Sequence, residues 1–167
     1  MGQGLVRAAA AAVAAAVLLV VGWMLWPRPA AVPAPTTRQY LDTSACLLTG
    51  PDGVAPGTPG APVWQAIESA SLASRVMVSY LPVARPADAS AMLNTLVERR
   101  CGVIVVTGAS RAQVASAAKA NPGRQFILVA SSAVAGPVAV PPNAVVVPPG
   151  DASGRIDQEV TALAGTA

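Results

Sequence analysis

Two kinds of apolar pattern divide the chain. Ala8 to Trp26 is an uninterrupted run of 19 apolar residues, whereas beyond Ala45 short apolar runs alternate with segments of helical spacing. Ala45 to Gly50 (ACLLTG) reads as a short buried strand ending at Gly-Pro, and a Gly/Pro-rich loop follows from Pro51 to Gly60. Val63, Ile67 and Ala70, with Trp64 beside them, then fall on one helical face. Arg75 to Val83 (RVMVSYLPV) predicts a second strand. Met92, Leu93, Leu96 and Val97 mark a second helix with Asp88 or Ser90 as its cap, and Arg99-Arg100 sit at its solvated end, where positive charge suits the helix dipole. Cys101 to Thr107 (CGVIVVT) is apolar almost throughout, as strands covered on both faces are. Ser110 and Gln113 stand three apart as a capping box ahead of a third helix that stops at Asn121-Pro122-Gly123. Gln125 to Ala130 and Ala144 to Val147 predict two more strands, and Ile156, Val160 and Leu163 a last helix.

Alternating strands and helices imply an α/β domain: one doubly wound parallel sheet of five strands with helices on both faces, for which the usual order is 2-1-3-4-5. About 120 residues suffice for it, and the length allows one ordinary domain.

The amino-terminal run changes the picture from a domain to a tethered domain. At 1.5 Å per residue it spans about 28 Å, close to the roughly 30 Å hydrocarbon core of a bilayer. It is longer than the h-region of a cleaved signal, and Trp23 and Trp26 end it where aromatic residues meet the membrane surface. Residues 1–27 therefore read as a membrane helix, retained as an anchor, with a cleaved signal as the alternative. Residues 28–41, with Pro29, Pro33 and Pro35 among alanines, read as an extended spacer, and residues 42–167 as one lobe. Arg7 ahead of the run favours a cytoplasmic amino end and a lobe on the extracytoplasmic side of the cell membrane. Cys46 follows Thr43-Ser44-Ala45 with no Leu at the third place before it, which argues against lipid attachment there.

Composition removes several chemistries. The chain has no histidine, so it has no His general base, no Ser-His-Asp triad and no His-ligated metal, and two cysteines are too few for a zinc site. No cofactor is implied. A net charge of +3, scattered and almost all arginine, gives no footprint for nucleic acid.

The order of these pieces resembles the amino-terminal lobe of the basic membrane protein family. Those are mostly nucleoside-binding proteins of ABC transporters, with a type I periplasmic-binding fold. The likeness covers residues 45 to about 160. It is carried by Leu48-Thr49-Gly50, by Trp64-Gln65-Ala66-Ile67, and by the stretch from Leu93 to Gly108 (LNTLVERRCGVIVVTG). Asn121-Pro122-Gly123-Arg124-Gln125-Phe126 and Pro142-Asn143-Ala144-Val145 extend it. The resemblance implies a non-enzymatic, extracytoplasmic solute-binding-like module with a transporter or sensor as partner and a nucleoside-like small molecule as ligand. Family members close two lobes on their ligand, whereas one lobe is present here. Gly57-Thr58-Pro59-Gly60-Ala61-Pro62-Val63 stands where a polar ligand cluster is expected, so no family ligand residue is carried over. The alternative is a degenerate lobe acting through protein contacts alone, and an enzyme built on the strand ends is the third possibility.

Three constellations remain. Thr107-Gly108-Ala109-Ser110-Arg111 is similar to the opening of a dinucleotide loop, but the following Ala112-Gln113-Val114 lacks the glycines that let a pyrophosphate approach. A strand-to-helix turn is the plainer reading. Cys46 and Cys101 open the first and third strands, neighbours in the expected order, about 4.8 Å apart. In an exported lobe they predict a disulfide, and in the cytoplasm two buried thiols. Ligands of open α/β sheets bind beyond the carboxyl ends of the strands. That rim carries Gly50, Asp52, Thr107, Gly108, Ser110, Ser131 and Ser132, suited to an anion or a sugar hydroxyl and equally ordinary as turn residues.

Overall fold

The computed structural model describes residues 39–130 and 138–166. The expected amino-terminal membrane helix, the spacer as far as residue 38, Ser131 and Ser132 lie outside the described residues. Among the described residues no helix is long and apolar enough to cross a membrane.

The strands are β1 (Ser44–Thr49), β2 (Met77–Pro82), β3 (Cys101–Val106), β4 (Gln125–Val129) and β5 (Ala144–Val147). The helices are α1 (Gly60–Ser74), α2 (Ala89–Glu98), α3 (Arg111–Ala120) and α4 (Ala152–Ala164). All strand pairs are parallel, as the alternation predicts, and the order is β2-β1-β3-β4-β5, the one usual for a doubly wound sheet. Alternate residues of the central strands face opposite ways. Cys46, Leu48, Ile104 and Phe126 pack under α2 and α3 with Leu93, Leu96 and Val114. Leu47, Val105 and Ile127 pack under α1 and α4 with Ile67, Ile156 and Val160.

The boundaries depart from expectation where helices end. Arg75 is not the first residue of β2. It adopts a left-handed conformation (φ 62°) and its N–H closes α1 on the Ser71 carbonyl. No glycine or asparagine follows α1, so an arginine takes the terminating conformation that those residues adopt with less strain. Arg100 does the same after α2. Asp88 precedes α2, yet its side chain makes no cap hydrogen bond, and Ser90 is already inside the helix. The short 3-10 turn Pro86–Asp88 runs straight into α2, so Asp88 has helical dihedrals and cannot reach back to the first amides. Its carboxylate instead accepts from Arg85 at 2.9 Å. The box at α3 forms as expected: Ser110 Oγ accepts from the Gln113 N–H at 3.3 Å, and Gln113 Oε1 accepts from the Ser110 N–H at 2.9 Å.

Cys46 and Cys101 are joined as a disulfide, with Cα atoms 5.8 Å apart. A β-bulge makes this possible. Ser44 pairs with Cys101 but Ala45 pairs with Val103, so Gly102 is an extra residue. Simple alternation would put Cys101 on the face of Val103, under α4. The extra residue turns it to the face of Ile104 and Cys46, where both sulfurs are buried. Gly102 itself lies against α4: a Cβ there would stand 2.5 Å from Leu163 Cδ1.

Asn143 fastens the entry to β5. Its Nδ2 lies 3.0, 3.0 and 2.9 Å from the carbonyl oxygens of Ala118, Asn121 and Arg124, so its two hydrogens are shared among three acceptors at the end of α3 and in the turn after it.

Candidate functional site

The carboxyl ends of β1 and β3 are drawn together. The Thr107 N–H donates to the Leu48 carbonyl at 2.8 Å and its hydroxyl to the same oxygen at 3.3 Å. Gly108 rests directly on the chain leaving β1: a Cβ there would run into the Thr49 carbonyl and stand 2.6 Å from the Gly50 nitrogen. The crevice between β1 and β3, where the strand order reverses and where this topology ordinarily receives a ligand, is therefore occupied by backbone.

The expected rim residues separate accordingly. Gly50, Asp52 and Thr107 come together around a small hollow of about 190 Å³, with Gly53, Thr58 and Pro59 as further walls. The Thr58 hydroxyl is committed to the Ala55 carbonyl at 2.8 Å. Asp52 is exposed. Ser110 lies apart, its hydroxyl engaged with Gln113. Gly108 fills a packing role. Ser131 and Ser132 fall outside the described residues.

A larger pocket of about 480 Å³ lies over the ends of β3 and β4. Pro59, Pro62 and Val63 at the start of α1 form one wall, and Pro149, Ala152 and Ser153 at the start of α4 another. Thr107, Ala109 and the residues from Leu128 to Ala130 complete it. Sequence reasoning located Thr107 but not this pocket. It arises where two helix starts far apart in the chain, at Gly60 and Ala152, pass over the same strand ends. The trace left in the sequence is the small run Ala152-Ser153-Gly154, which leaves room at the head of α4. Among the described residues lining the two hollows, Asp52 is the one ionisable side chain. Hydroxyls and backbone groups beside aliphatic carbon are suited to holding a small molecule.

Taken together, the described residues form a doubly wound α/β lobe with a buried cross-link. No family model matches the chain, and no curated protein matches it. Among solved structures it is similar to a fragment assigned as a lipoprotein from Peptoclostridium difficile 630, at 16% identity and a TM-score of 0.57. The match covers 71% of this chain and 99% of that one, and shows a shared fold. A 3-dehydroquinate dehydratase-like protein from Bifidobacterium longum matches at 12% identity and a TM-score of 0.46, over 74% of this chain and 96% of that one. A diflavin flavoprotein from Nostoc sp. matches at 13% and 0.37, over 75% and 94%.

Proposed function

We propose that this chain is a membrane-tethered, extracytoplasmic solute-binding-like module. Its amino-terminal apolar run is the anchor, and its single lobe works beside a transporter or sensor without catalysing a reaction. The observation that carries the reading is the pocket of about 480 Å³ at the carboxyl ends of β3 and β4, within the roughly 300–1,000 Å³ range of small-molecule sites. The resemblance to the basic membrane protein lobe supports it, and so does the Cys46–Cys101 bridge, since disulfides persist in oxidising compartments.

A second reading, a degenerate lobe that acts through protein contacts alone, is favoured by one specific observation: Gly108 closes the β1–β3 crevice. Thermal unfolding of the full-length protein in lipid nanodiscs, screened against purines, nucleosides, sugars, amino acids and neutral aromatics, separates the two. A saturable rise in midpoint with one class is expected, because a ligand that binds only the folded state stabilises it. No rise with any class would leave the degenerate reading standing. Protease added outside intact cells should release the lobe, and a protected lobe would overturn the proposed topology.

A further inference from the structure

We infer that the pocket over β3 and β4 takes a neutral, compact, mainly hydrocarbon ligand with a single hydrogen-bonding group. This rests on the small-ligand reading and narrows it. No ionisable side chain is present among the described residues that line the pocket, and residues 131–137, which follow Ala130 in the chain, contain none either. An ionised ligand would lose its hydration with no opposite charge to replace it.

The Ala61 N–H already donates to the Thr58 carbonyl at 3.2 Å, Pro62 has no N–H, and the Ala152 N–H donates to the Pro149 carbonyl. Asp151 places a carboxylate at the head of α4, which opposes an anion there. Three prolines and Val63, Leu128 and Val129 offer carbon. The polar side chains are Thr107, whose hydroxyl proton is directed to Leu48, and Ser153. Two hydroxyls serve one polar group on a ligand. They cannot serve a ribose and the edge of a base together, and each polar group buried without a partner costs about 1–3 kcal/mol.

The test uses full-length protein in lipid nanodiscs with labelled methyl groups at Val63, Leu128 and Val129. It is titrated with 2-naphthol, 2-naphthoate and adenosine at known free concentrations. 2-Naphthol should shift these methyls and bind at least about tenfold more tightly than 2-naphthoate, with adenosine producing no shift. Ser153 is exposed, so Ser153→Phe should close the mouth and abolish the 2-naphthol shifts while leaving the unfolding midpoint unchanged. Binding of 2-naphthoate or adenosine at these methyls as tightly as 2-naphthol would overturn the ligand class and leave the small-ligand reading intact. Binding that survives Ser153→Phe would put the probe elsewhere and also overturn it. Silence of these methyls toward all three probes, together with no response in the wider screen, would end both.

Discussion

The two faces of the sheet are covered alike, each by two helices, yet they are finished differently. Under α2 and α3 the interior contains Phe126, the single phenylalanine, and the Cys46–Cys101 bridge, with Leu93 and Leu96 fully buried above them. Under α1 and α4 it is built from valine, isoleucine and alanine, with one leucine, Leu47, and it opens at the strand ends into the larger pocket. The cross-link pins β1 to β3 at their amino ends, whereas the pocket lies beyond the carboxyl ends of β3 and β4. The cross-link and the candidate site are thus placed at opposite ends of β3.

Breaking the bridge should therefore have the largest effect. The cysteines are 55 residues apart, and the chain-entropy model puts the contribution of such a link at about 4 kcal/mol. Urea unfolding of Cys46→Ala/Cys101→Ala should show about that loss, and reductant should lower the midpoint of the unaltered protein but not of the double variant. An unchanged midpoint on reduction would mean that the first face owes its stability to packing alone.

The glycines that let the chain cross between the faces come next. At Gly108 an added methyl meets backbone, the Thr49 carbonyl, which cannot move without disturbing β1. At Gly102 it meets the end of the Leu163 side chain, which can rotate. Gly108→Ala should cost about 3 kcal/mol and Gly102→Ala about 1 kcal/mol. Equal losses would show that the closed β1–β3 crevice is more compliant than its contacts imply.

Asn143→Ala should cost about 2 kcal/mol, because it removes the two side-chain N–H donors that tie the carbonyls of the α3 end and the following turn to the start of β5. Hydrogen exchange of the β5 amides measures it, and exchange should accelerate in β5 before it does in β1.

How far all this was legible in the sequence depends on the range of the interaction. Both hydrophobic faces and the α3 capping box follow from periodicity and from pairs three or four residues apart, and the strand order is the usual one for a doubly wound sheet. The Cys46–Cys101 pairing follows once the order and an oxidising compartment are accepted. The bulge was not legible: CGVIVV reads as six alternating residues, and only the register against β1 shows that Gly102 is extra. Arg75 was misplaced because a residue in the left-handed conformation is anticipated only when it is glycine or asparagine. The pocket was missed because it depends on the distance between two helix starts, which no local pattern encodes. At the rim, the hydroxyls and glycines were recognisable as turn residues, but whether a turn faces a ligand or its own backbone is decided by packing. Gly108, against Thr49, shows the second outcome.

The smallest effect tests the local end of that scale. Ser110 and Asp88 both precede helices on the first face, and both residue types suit an N-cap. Ser110 has extended dihedrals and exchanges hydrogen bonds with Gln113, whose amide also donates to the Pro86 carbonyl at 2.9 Å. Asp88 has helical dihedrals, and its carboxylate is spent on an exposed pair with Arg85. Ser110→Ala should therefore cost about 1 kcal/mol, and Asp88→Ala less than about 0.5 kcal/mol, declining further with salt. Urea titrations of the two variants at low and high ionic strength separate the cases. The reverse order would mean that Asp88 caps α2 in solution and that the 3-10 turn before it opens.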